Sequence, residues 1–383
     1  MDYSPLEKII QITDNPAEMA VIGLKIKAAL PTLYTPLMME KMYEGIERHI
    51  PNASPEKKEE MVYRSIYDYF VYGTNIDEEF YYHFDKKTHQ EKQQYLCGHL
   101  RGIYVTHLNK DGKMTQLSYK YRLYQRLKPY YLREMISISN ENDFQTFRDF
   151  ASRHDVFVVK PINFWYGLGV HKASLQDYGG DVRTAFDSIL NEGKTLQGRH
   201  PSRDAQMVLA ELIDQDPAMA QLHPESVNAL RITMVRGADG KATMFHPFIK
   251  IGMNGDFIAS AAQNGVVADI DPETGILCTD GYNETGKRFM NHPNTGIKIK
   301  GFQIPRWDEL LELVGALGKE MREFGYSGWD LVLSKRGWCV MEGNYSGEQI
   351  SQIILEKGLR GELEELIGWK YEKEYWWQES FSN

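Results

Sequence analysis

The chain has 383 residues, a length at which roughly two or three lobes are expected. Hydrophobic residues make up 42% of it and charged residues 25%, which is typical of globular proteins with a packed core. The formal net charge of -9 argues against a surface that coats nucleic acid, although it is compatible with a local basic pocket for phosphates.

Targeting signals and cysteine sites are not predicted. No stretch approaches the ~18 consecutive apolar residues of a membrane-spanning helix, and residues 1–5 lack the features of a signal peptide. We therefore expect a cytoplasmic protein. The three cysteines, Cys97, Cys278 and Cys339, are odd in number and far apart, so neither a disulfide framework nor a cysteine zinc site is expected.

Residues 1–115 are predicted to be helical. Helical patterns cover 16–30 and 37–50, and Ser54 followed by Pro55 is typical of a helix start. The region is rich in tyrosine, which favours core or interface packing. It could form a front lobe, a substrate lid or a homodimer surface.

A second helix-rich stretch is predicted over 117–138, and from residue 155 the pattern changes to short β-branched and aromatic runs. An amphipathic helix is predicted over Trp307–Phe324, followed by two strands and by helices near 348–357 and 360–369. Helices followed by a largely antiparallel sheet region indicate an α+β fold. The predicted strands before residue 300 are 156–160, 208–213, 230–235, 242–251 and 257–270.

The two predicted strands near the C-terminus carry carboxylates. A three-residue loop centred on Arg336 would place Asp330 opposite Glu342, because both lie six residues from it. Glu342 and Asn344 are two residues apart on one strand, so their side chains share a face. The three side chains would form one patch of oxygen ligands.

A divalent cation would remove the repulsion between two carboxylates that face each other across a ladder. Magnesium prefers oxygen ligands, so Asp330, Glu342 and Asn344 are candidate ligands. An exposed acidic hairpin, or carboxylates paired with Lys and Arg, is the alternative interpretation. The apolar residues beside each candidate ligand favour a buried hairpin.

These motifs resemble the ATP-grasp superfamily, in which the last two sheet strands carry Asp, Glu and Asn as magnesium ligands. The sequence is most similar to the sugar-transfer associated ATP-grasp group, over roughly residues 115–357. The motifs that carry the resemblance, in the group's order, are HPESVNALRITMV at 223–235, HPNTG at 292–296, GFQIPRWDELLEL at 301–313 and GYSGWDLVL at 325–333.

The resemblance implies an ATP-grasp fold, in which two α+β lobes with an antiparallel sheet grip ATP. We expect a small lobe at 116–220, which carries the phosphate loop and the hinge strand. We expect a large lobe at 221–383, which carries the metal site and the C-terminal helices. The helical region 1–115 precedes both lobes.

The resemblance also implies phosphate-binding side chains. Lys120 matches the first ATP lysine, although Tyr119 stands where the group usually has Asp. Lys160 ends a predicted strand and matches the second ATP lysine; without the resemblance, a solvated lysine is the commoner interpretation. Arg231 resembles the arginine that contacts the γ-phosphate or the acyl phosphate, because a planar guanidinium suits bidentate contact. An ordinary ion pair is its alternative.

The segment 163–170 occupies the position of the phosphate-covering loop. Gly167 and Gly169 would let backbone N–H groups approach phosphate oxygens. Three consecutive aromatic residues depart from the usual glycine-rich pattern, so stacking on a substrate is an alternative role for this loop.

The remaining assignments concern adenine and the substrate. Ala210 replaces a polar residue that is usual in the hinge strand. Asn228, near the start of the next predicted strand, is assigned to the nucleotide-binding set. Backbone groups that would hold adenine belong to Glu211, Leu212 and Ile213. The substrate end is expected at Gln263, Asn264 and His292.

The implied chemistry is ligation. A substrate carboxylate attacks the γ-phosphate of ATP to form an acyl phosphate and ADP, and an amine then displaces phosphate to give an amide. We expect ATP and a pair of Mg²⁺ ions as cofactors, with Mn²⁺ as an alternative ion, and Lys160 and Arg231 as catalytic groups. The group's association with sugar transfer suggests a role in cell-surface polysaccharide or glycoconjugate biosynthesis.

Two alternative functions stay open. One is an ATP-grasp phosphotransferase that phosphorylates a hydroxyl group, since its ATP-binding residues would look the same. The other is a nucleotide-binding scaffold without turnover, which the substitutions at Tyr119 and Ala210 allow. The complete set of metal ligands argues against the scaffold.

Overall fold

The computed structural model of the protein describes residues 2–110, 115–164, 168–255, 265–283, 286–345 and 350–378. The chain divides into two compact units, one formed by Met1–Leu108 with Gln352–Asn383 and the other by Asn109–Ser351. The first unit is helical, as predicted for the N-terminal region, and the second contains the described strands. Residues 352–383, which the sequence assigns to the large lobe, group with the N-terminal helices; the lobe boundaries at 116 and 221 stay a prediction.

Helices form where caps and apolar stripes coincide. In α4, Ser54 accepts a hydrogen bond from Lys57 N, Pro55 is the first helical residue and Gly73 ends the helix with φ 73. None of the described helices is long and apolar enough to cross a membrane. In the described part of the chain the α-helices are α1 Leu6–Ile9, α2 Pro16–Ala29, α3 Pro36–His49, α4 Pro55–Tyr72, α5 Ile76–Tyr81, α6 His89–Lys92, α7 Gly98–Leu108, α8 Thr115–Ser118, α9 Lys120–Arg126, α10 Phe144–Ala151, α11 Val182–Arg199, α12 Pro217–Ala220, α13 Trp307–Glu320, α14 Ile350–Ile354 and α15 Arg360–Ile367.

The strands form two antiparallel sheets, which confirms the predicted α+β class. One sheet has four strands in the order β1-β4-β2-β3, and the other has the order β10-β9-β8-β7-β5-β11-β12, with β6 also paired to β5. The strands are β1 Met135–Ile138, β2 Val156–Pro161, β3 His171–Ser174, β4 Met207–Glu211, β5 Ala229–Arg236, β6 Ala242–Met244, β7 Phe248–Ile251, β8 Val266–Asp269, β9 Gly281–Tyr282, β10 Arg288–Phe289, β11 Tyr326–Ser334 and β12 Gly337–Asn344.

Two predicted elements are wrong in part. The helix-rich stretch 117–138 ends early, since α9 stops at Arg126, and residues 135–138 form β1. Half of the residues of β1 are β-branched, which favours a strand, and β1 pairs with β4. The predicted strand 242–251 is two strands, because His246 has φ 44 and is followed by Pro247, which lacks a backbone donor. Residues 257–264 of the predicted strand 257–270 lie outside the described residues.

Each sheet has its own apolar core. The small sheet packs its Phe157 face on α10 and α11, through Phe147, Phe150 and Phe186. The large sheet packs one face on α13, whose Leu310 and Leu317 are fully buried. Because side chains alternate along a strand, the opposite face of the large sheet is free to carry polar groups.

Candidate functional site

The hairpin of β11 and β12 is tighter than the sequence predicts. Ser334 pairs directly with Gly337, so the loop consists of Lys335 and Arg336 and is not a three-residue loop centred on Arg336. Gly337 has φ 126, in the region that favours glycine, which allows the chain to reverse within two residues. The predicted loop is therefore wrong.

A β-bulge nevertheless produces the predicted pairing of the carboxylates. Leu331 pairs with Val340, but the register shifts before the next pair, so Asp330 lies opposite Glu342. Met341 is the extra residue of the bulge. The pairing of Asp330 with Glu342 is confirmed. The loop has one residue fewer than predicted, and the extra residue of the bulge compensates for it.

Arg133 binds this bulge. Its Nη1 donates to the carbonyl of Val340 at 3.0 Å and its Nη2 to the carbonyl of Met341 at 3.1 Å. A bulge disturbs the regular ladder, and the guanidinium satisfies carbonyl groups there. The result is a buried cation held against β12 one and two residues before Glu342.

Asp330 lies between Arg231 on β5 and Glu342 on β12. The Nε and Nη2 atoms of Arg231 donate to the two carboxylate oxygens at 2.8 and 3.2 Å, and Lys250 Nζ lies 2.8 Å from Oδ1. Burial alone would raise the pKa of Asp330, but the charges of Arg231 and Lys250 outweigh it and lower the pKa to about 2. Asp330 is therefore ionised at neutral pH and already paired with cations, as the alternative interpretation expected.

Lys120 and Lys160 converge on Glu342. Lys120 is the first residue of α9; its Nζ donates to the carbonyl of Phe164 at 2.7 Å and lies 3.9 Å from Glu342 Oε1. Lys160 is 7% exposed. Burial, followed by the charge of Arg133, lowers the pKa of Lys160 to about 7, while Glu342 opposes this shift. The site thus concentrates positive charge around one carboxylate, which suits a polyanionic ligand.

The phosphate-covering loop is described only at its two ends. Asn163 is buried and its Oδ1 accepts a hydrogen bond from Asp204 N at 3.3 Å. Gly169 has φ 72, and a Cβ there would lie 2.9 Å from atoms of Leu196 and Pro161, so this position requires glycine. Gly167 and the aromatic residues 165–166 lie outside the described residues, and the role of this loop stays a prediction.

The predicted hinge strand ends beside the hairpin loop. Glu211 is the last residue of β4; it pairs with Arg336 and accepts a hydrogen bond from Glu134 N at 3.0 Å. Burial would raise the pKa of Glu211, but the hydrogen bond from Arg336 lowers it. A small cleft opens beyond the end of β4, lined by Tyr131, Leu132, Arg133, Leu212, Ile213, Asp214, Ser334, Lys335, Arg336 and Cys339. Its position fits the predicted adenine site.

Two predicted site residues do not join the cationic cluster. Asn228 is fully buried, and its Nδ2 donates to the carbonyls of Met219 and His223 at 2.9 and 3.0 Å. His292 is buried beside His223, with Nε2 2.8 Å from the carbonyl of Gly252, and burial lowers the pKa of His292. Their assignments stay predictions. Gln263 and Asn264 lie outside the described residues.

The candidate metal ligands offer oxygen atoms only. Asp330, Glu342 and Asn344 are all on β11 and β12, and Asn344 pairs with Gly328. This donor set fits a hard cation such as Mg²⁺. Within the described ranges, no group of three His, Cys, Asp or Glu side chains could hold a metal ion. A metal here would therefore depend on Asn344 or on a bound phosphate for its remaining ligands.

Sequence analysis missed Arg133 and Lys250. The sequence pattern could have indicated Lys250, since this residue interrupts the apolar strand Phe248-Ile249-Lys250-Ile251, and a buried lysine requires a partner. No sequence pattern indicated Arg133, because it lies in a stretch predicted to be helical and its partners on β12 are more than two hundred positions away.

One known family matches most of the chain. Residues 101–367 match the sequence profile of the family described as sugar-transfer associated ATP-grasp. No curated protein matches the sequence.

Several solved structures are similar to part of the chain. A D-cycloserine synthetase is 12% identical, with a TM-score of 0.35 over 65% of this chain and 71% of that one. The D-alanyl-alanine synthetase A of Vibrio cholerae is 10% identical, with a TM-score of 0.35 and coverage of 64% and 65%. The N5-carboxyaminoimidazole synthetase of Staphylococcus aureus, complexed with ADP, is 12% identical, with a TM-score of 0.40 and coverage of 67% and 53%. This chain spans less than two thirds of the length of the last two.

Proposed function

Because the chain belongs to the sugar-transfer associated ATP-grasp family, we propose that it is an ATP- and Mg²⁺-dependent ligase that joins a small-molecule carboxylate to an amine through an acyl phosphate. The family match also confirms the predicted ATP-grasp fold. The observation that carries the proposal is the cluster of Lys120, Lys160 and Arg133 near Glu342, next to the pair of Asp330 and Arg231.

The first step transfers a phosphoryl group. An oxygen of the substrate carboxylate attacks the γ-phosphorus, the bond to the β-phosphate oxygen breaks, and ADP leaves. Lys120, Lys160 and Arg133 neutralise the phosphates in a buried setting, where charge interactions are stronger than in water. Arg231 presents a guanidinium already oriented by Asp330, which suits bidentate contact with the transferred group.

Asp330, Glu342 and Asn344 are the side chains that would hold magnesium. When bound, the metal supplies positive charge that neutralises the phosphate oxygens. Asp330 is ionised, and its oxygens are already hydrogen-bonded to Arg231 and Lys250, so a metal would share this carboxylate with the two cations.

The second step forms the amide. The amine attacks the acyl carbon, the carbon–oxygen bond breaks and phosphate leaves. The family is described as sugar-transfer associated, so amino sugars are natural candidates for the amine, together with amino acids. A place in cell-surface polysaccharide or glycoconjugate biosynthesis is part of this proposal.

The proposal is tested by a screen of carboxylates and amines for ADP release. With hydroxylamine as the nucleophile, the acyl phosphate should be trapped as a hydroxamate. ADP release with a phosphorylated product and no hydroxamate would instead indicate a phosphotransferase.

Glu342→Gln is the sharpest site variant. It keeps the size of the side chain and removes a charge that faces three cations, so we expect ligase activity to fall on the order of 100-fold. Glu312→Gln, on the exposed face of α13, is the matched control and should keep full activity. Unchanged activity of Glu342→Gln would contradict the metal assignment.

Asp330 is a poorer probe. Its carboxylate neutralises Arg231 and Lys250, so its removal takes this counterion away from two buried cations, at a cost of about 3–5 kcal/mol. Lost activity in an Asp330 variant would therefore not separate metal binding from unfolding.

A further inference from the structure

The polar row on the face of the large sheet opposite α13 extends beyond the proposed ATP site. Glu342 pairs with Asp330, Asp330 with Arg231, Arg231 with Phe248, and Phe248 with Asp269 on β8. Directly paired residues of antiparallel strands project their side chains from the same face. Asp269 therefore lies on the face of Arg231, two strands further along the row.

Asp269 differs from Asp330 in its environment. It is 3% exposed. Burial raises its pKa to about 7, with a smaller opposing effect of the hydrogen bond to Ser351, whereas Asp330 is held ionised by two cations. Among the described residues, no cation comparable to Arg231 or Lys250 offsets the burial of Asp269. A buried carboxylate of this kind favours a cationic ligand or a proton.

Ser351 lets Asp269 exist with or without a proton. Its Oγ lies 2.9 Å from Asp269 Oδ1 and 3.1 Å from the carbonyl of His246. When Asp269 is ionised, the hydroxyl can donate to the carboxylate. When Asp269 is protonated, the acid can donate to Ser351 Oγ, which then donates to the His246 carbonyl. Neither state requires the heavy atoms to move, which suits a group that takes up a proton during a reaction.

The spacing fits a substrate between Arg231 and Asp269. Neighbouring strands are about 4.8 Å apart, so the backbones of these two residues are separated by about 10 Å. The guanidinium of Arg231 is turned toward Asp330 on β11 and does not shorten this gap, which is long enough to span an acyl phosphate with an amine at its carbon. Phe248, between them, is 1% exposed and presents no charge to compete for either group.

We propose that Asp269 binds the amine acceptor as an ammonium ion and takes up its proton as the amine attacks the acyl phosphate. This assignment rests on the ligase function proposed above. One ammonium proton passes to the Asp269 carboxylate and frees the nitrogen lone pair. The carbon–nitrogen bond then forms, the carbon–oxygen bond to phosphate breaks with its electron pair, and a second N–H proton leaves with hydrogen phosphate. The substrate class is therefore an amine that is protonated at neutral pH.

The pH dependence follows from the ionised form. Asp269 accepts a proton only above its pKa of about 7, so amide formation should fall as the pH drops through 7, while acyl phosphate formation should not. The titratable and hydroxyl groups described on the elements around Asp269 are His246, Lys250, Asp271, Cys278, Asp280, Tyr282 and Ser351.

Asp269→Asn tests the proposal in two assays, hydroxamate formation and amide formation, with the same substrate carboxylate in both. Hydroxylamine is largely unprotonated at neutral pH and needs no base, so hydroxamate formation should stay within about twofold of the unaltered protein. Amide formation with a protonated amine should fall on the order of 100-fold. Asp308→Asn, an exposed residue of α13, should change neither rate, and thermal unfolding checks the fold of both variants.

Each outcome decides a different claim. If the unaltered protein forms no hydroxamate with any carboxylate, the ligase function fails. If it does, and Asp269→Asn retains amide formation, the inference about Asp269 is overturned. Equal loss of hydroxamate and amide in Asp269→Asn also overturns it, because the residue would then act before the second step.

A substrate-free measurement tests the inference independently. Carbon-13 NMR of protein labelled at the aspartate side chains, with Asp269→Asn to assign the resonance, should show Asp269 titrating near neutral pH. The Asp269 resonance should also shift when methylammonium is added. A midpoint in the usual aspartate range, or no response to methylammonium, would overturn the inference.

Discussion

At the scale of single residues, two side chains of the same type have different properties because their neighbours differ. Asp330 and Asp269 share a sheet face and are both buried. Two cations lower the pKa of Asp330 to about 2, and burial without such cations raises the pKa of Asp269 to about 7. The first suits a ligand that must stay ionised, and the second suits a proton acceptor.

Lys160 should take up a proton when a nucleotide binds. Burial and the charge of Arg133 lower its pKa to about 7, so the amine is mostly neutral at pH 8. Phosphate oxygens beside it would raise the pKa above 8, because a nearby negative charge favours the protonated form. Calorimetry of ADP binding at pH 8, in two buffers with different ionisation enthalpies, should show uptake approaching one proton.

Lys160→Gln should abolish this proton uptake and weaken binding. Lys319→Gln, on an exposed position of α13, should leave both unchanged. Proton uptake that persists in Lys160→Gln would assign the titration to another group.

At the scale of elements, the site depends on the local geometry of the β11–β12 hairpin. The two-residue loop and the bulge set the register that brings Asp330 opposite Glu342. The bulge carbonyls also hold Arg133. A change in the loop should therefore alter the positions of the two carboxylates.

Gly337→Ala should destabilise the protein by about 1–3 kcal/mol, because φ 126 is strained for any residue with a side chain. A Cβ at this position would meet its nearest atoms at 3.5 and 3.6 Å, which is ordinary contact, so the cost comes from backbone strain and not from a clash. Thermal or denaturant unfolding measures it.

The matched control is Gly315→Ala in α13. Gly315 is exposed, and a Cβ there would have no atom within 4 Å. Alanine is the better helix former by roughly 0.5–1 kcal/mol, so this variant should gain stability. A stable Gly337→Ala protein would show that the turn can adopt another conformation.

At the scale of the whole molecule, the helical unit contains a buried ion pair of its own. Lys92 Nζ lies 3.1 Å from Asp68 Oδ1, and both side chains are at most 1% exposed. The ammonium also lies over the rings of Tyr72 and Phe84. Lys92 is thus stabilised by one buried carboxylate and by two aromatic rings.

Asp68→Asn should destabilise the helical unit by about 3–5 kcal/mol, because it removes the carboxylate that is hydrogen-bonded to the buried lysine. The double variant Asp68→Leu/Lys92→Met should cost less than the single variant, since it removes both charges. Hydrogen exchange within α4 and α6, together with denaturant unfolding, measures these effects. Lys57→Ala, in an exposed pair with Glu60, should change stability by no more than about 0.5 kcal/mol.

Local patterns were sufficient for much of the fold. The start of α4, the helix α13 and strands β2, β4 and β5 follow from caps, apolar stripes and β-branched runs, which act over a few residues. The pairing of the candidate ligands Asp330 and Glu342 was predictable for the same reason, because a hairpin is a local structure. Even there, the loop length was wrong, since a bulge cannot be read from spacing alone.

Only the tertiary structure placed Arg133 on the bulge, Lys250 on Asp330 and Asp269 in the row of Arg231. These contacts join strands that are far apart in the chain, and the order of strands in a sheet depends on packing of the whole lobe. The sequence by itself therefore determined the family and the residue types of the candidate site. The tertiary structure decided which buried charges neutralise one another and which carboxyl group is left without a cation.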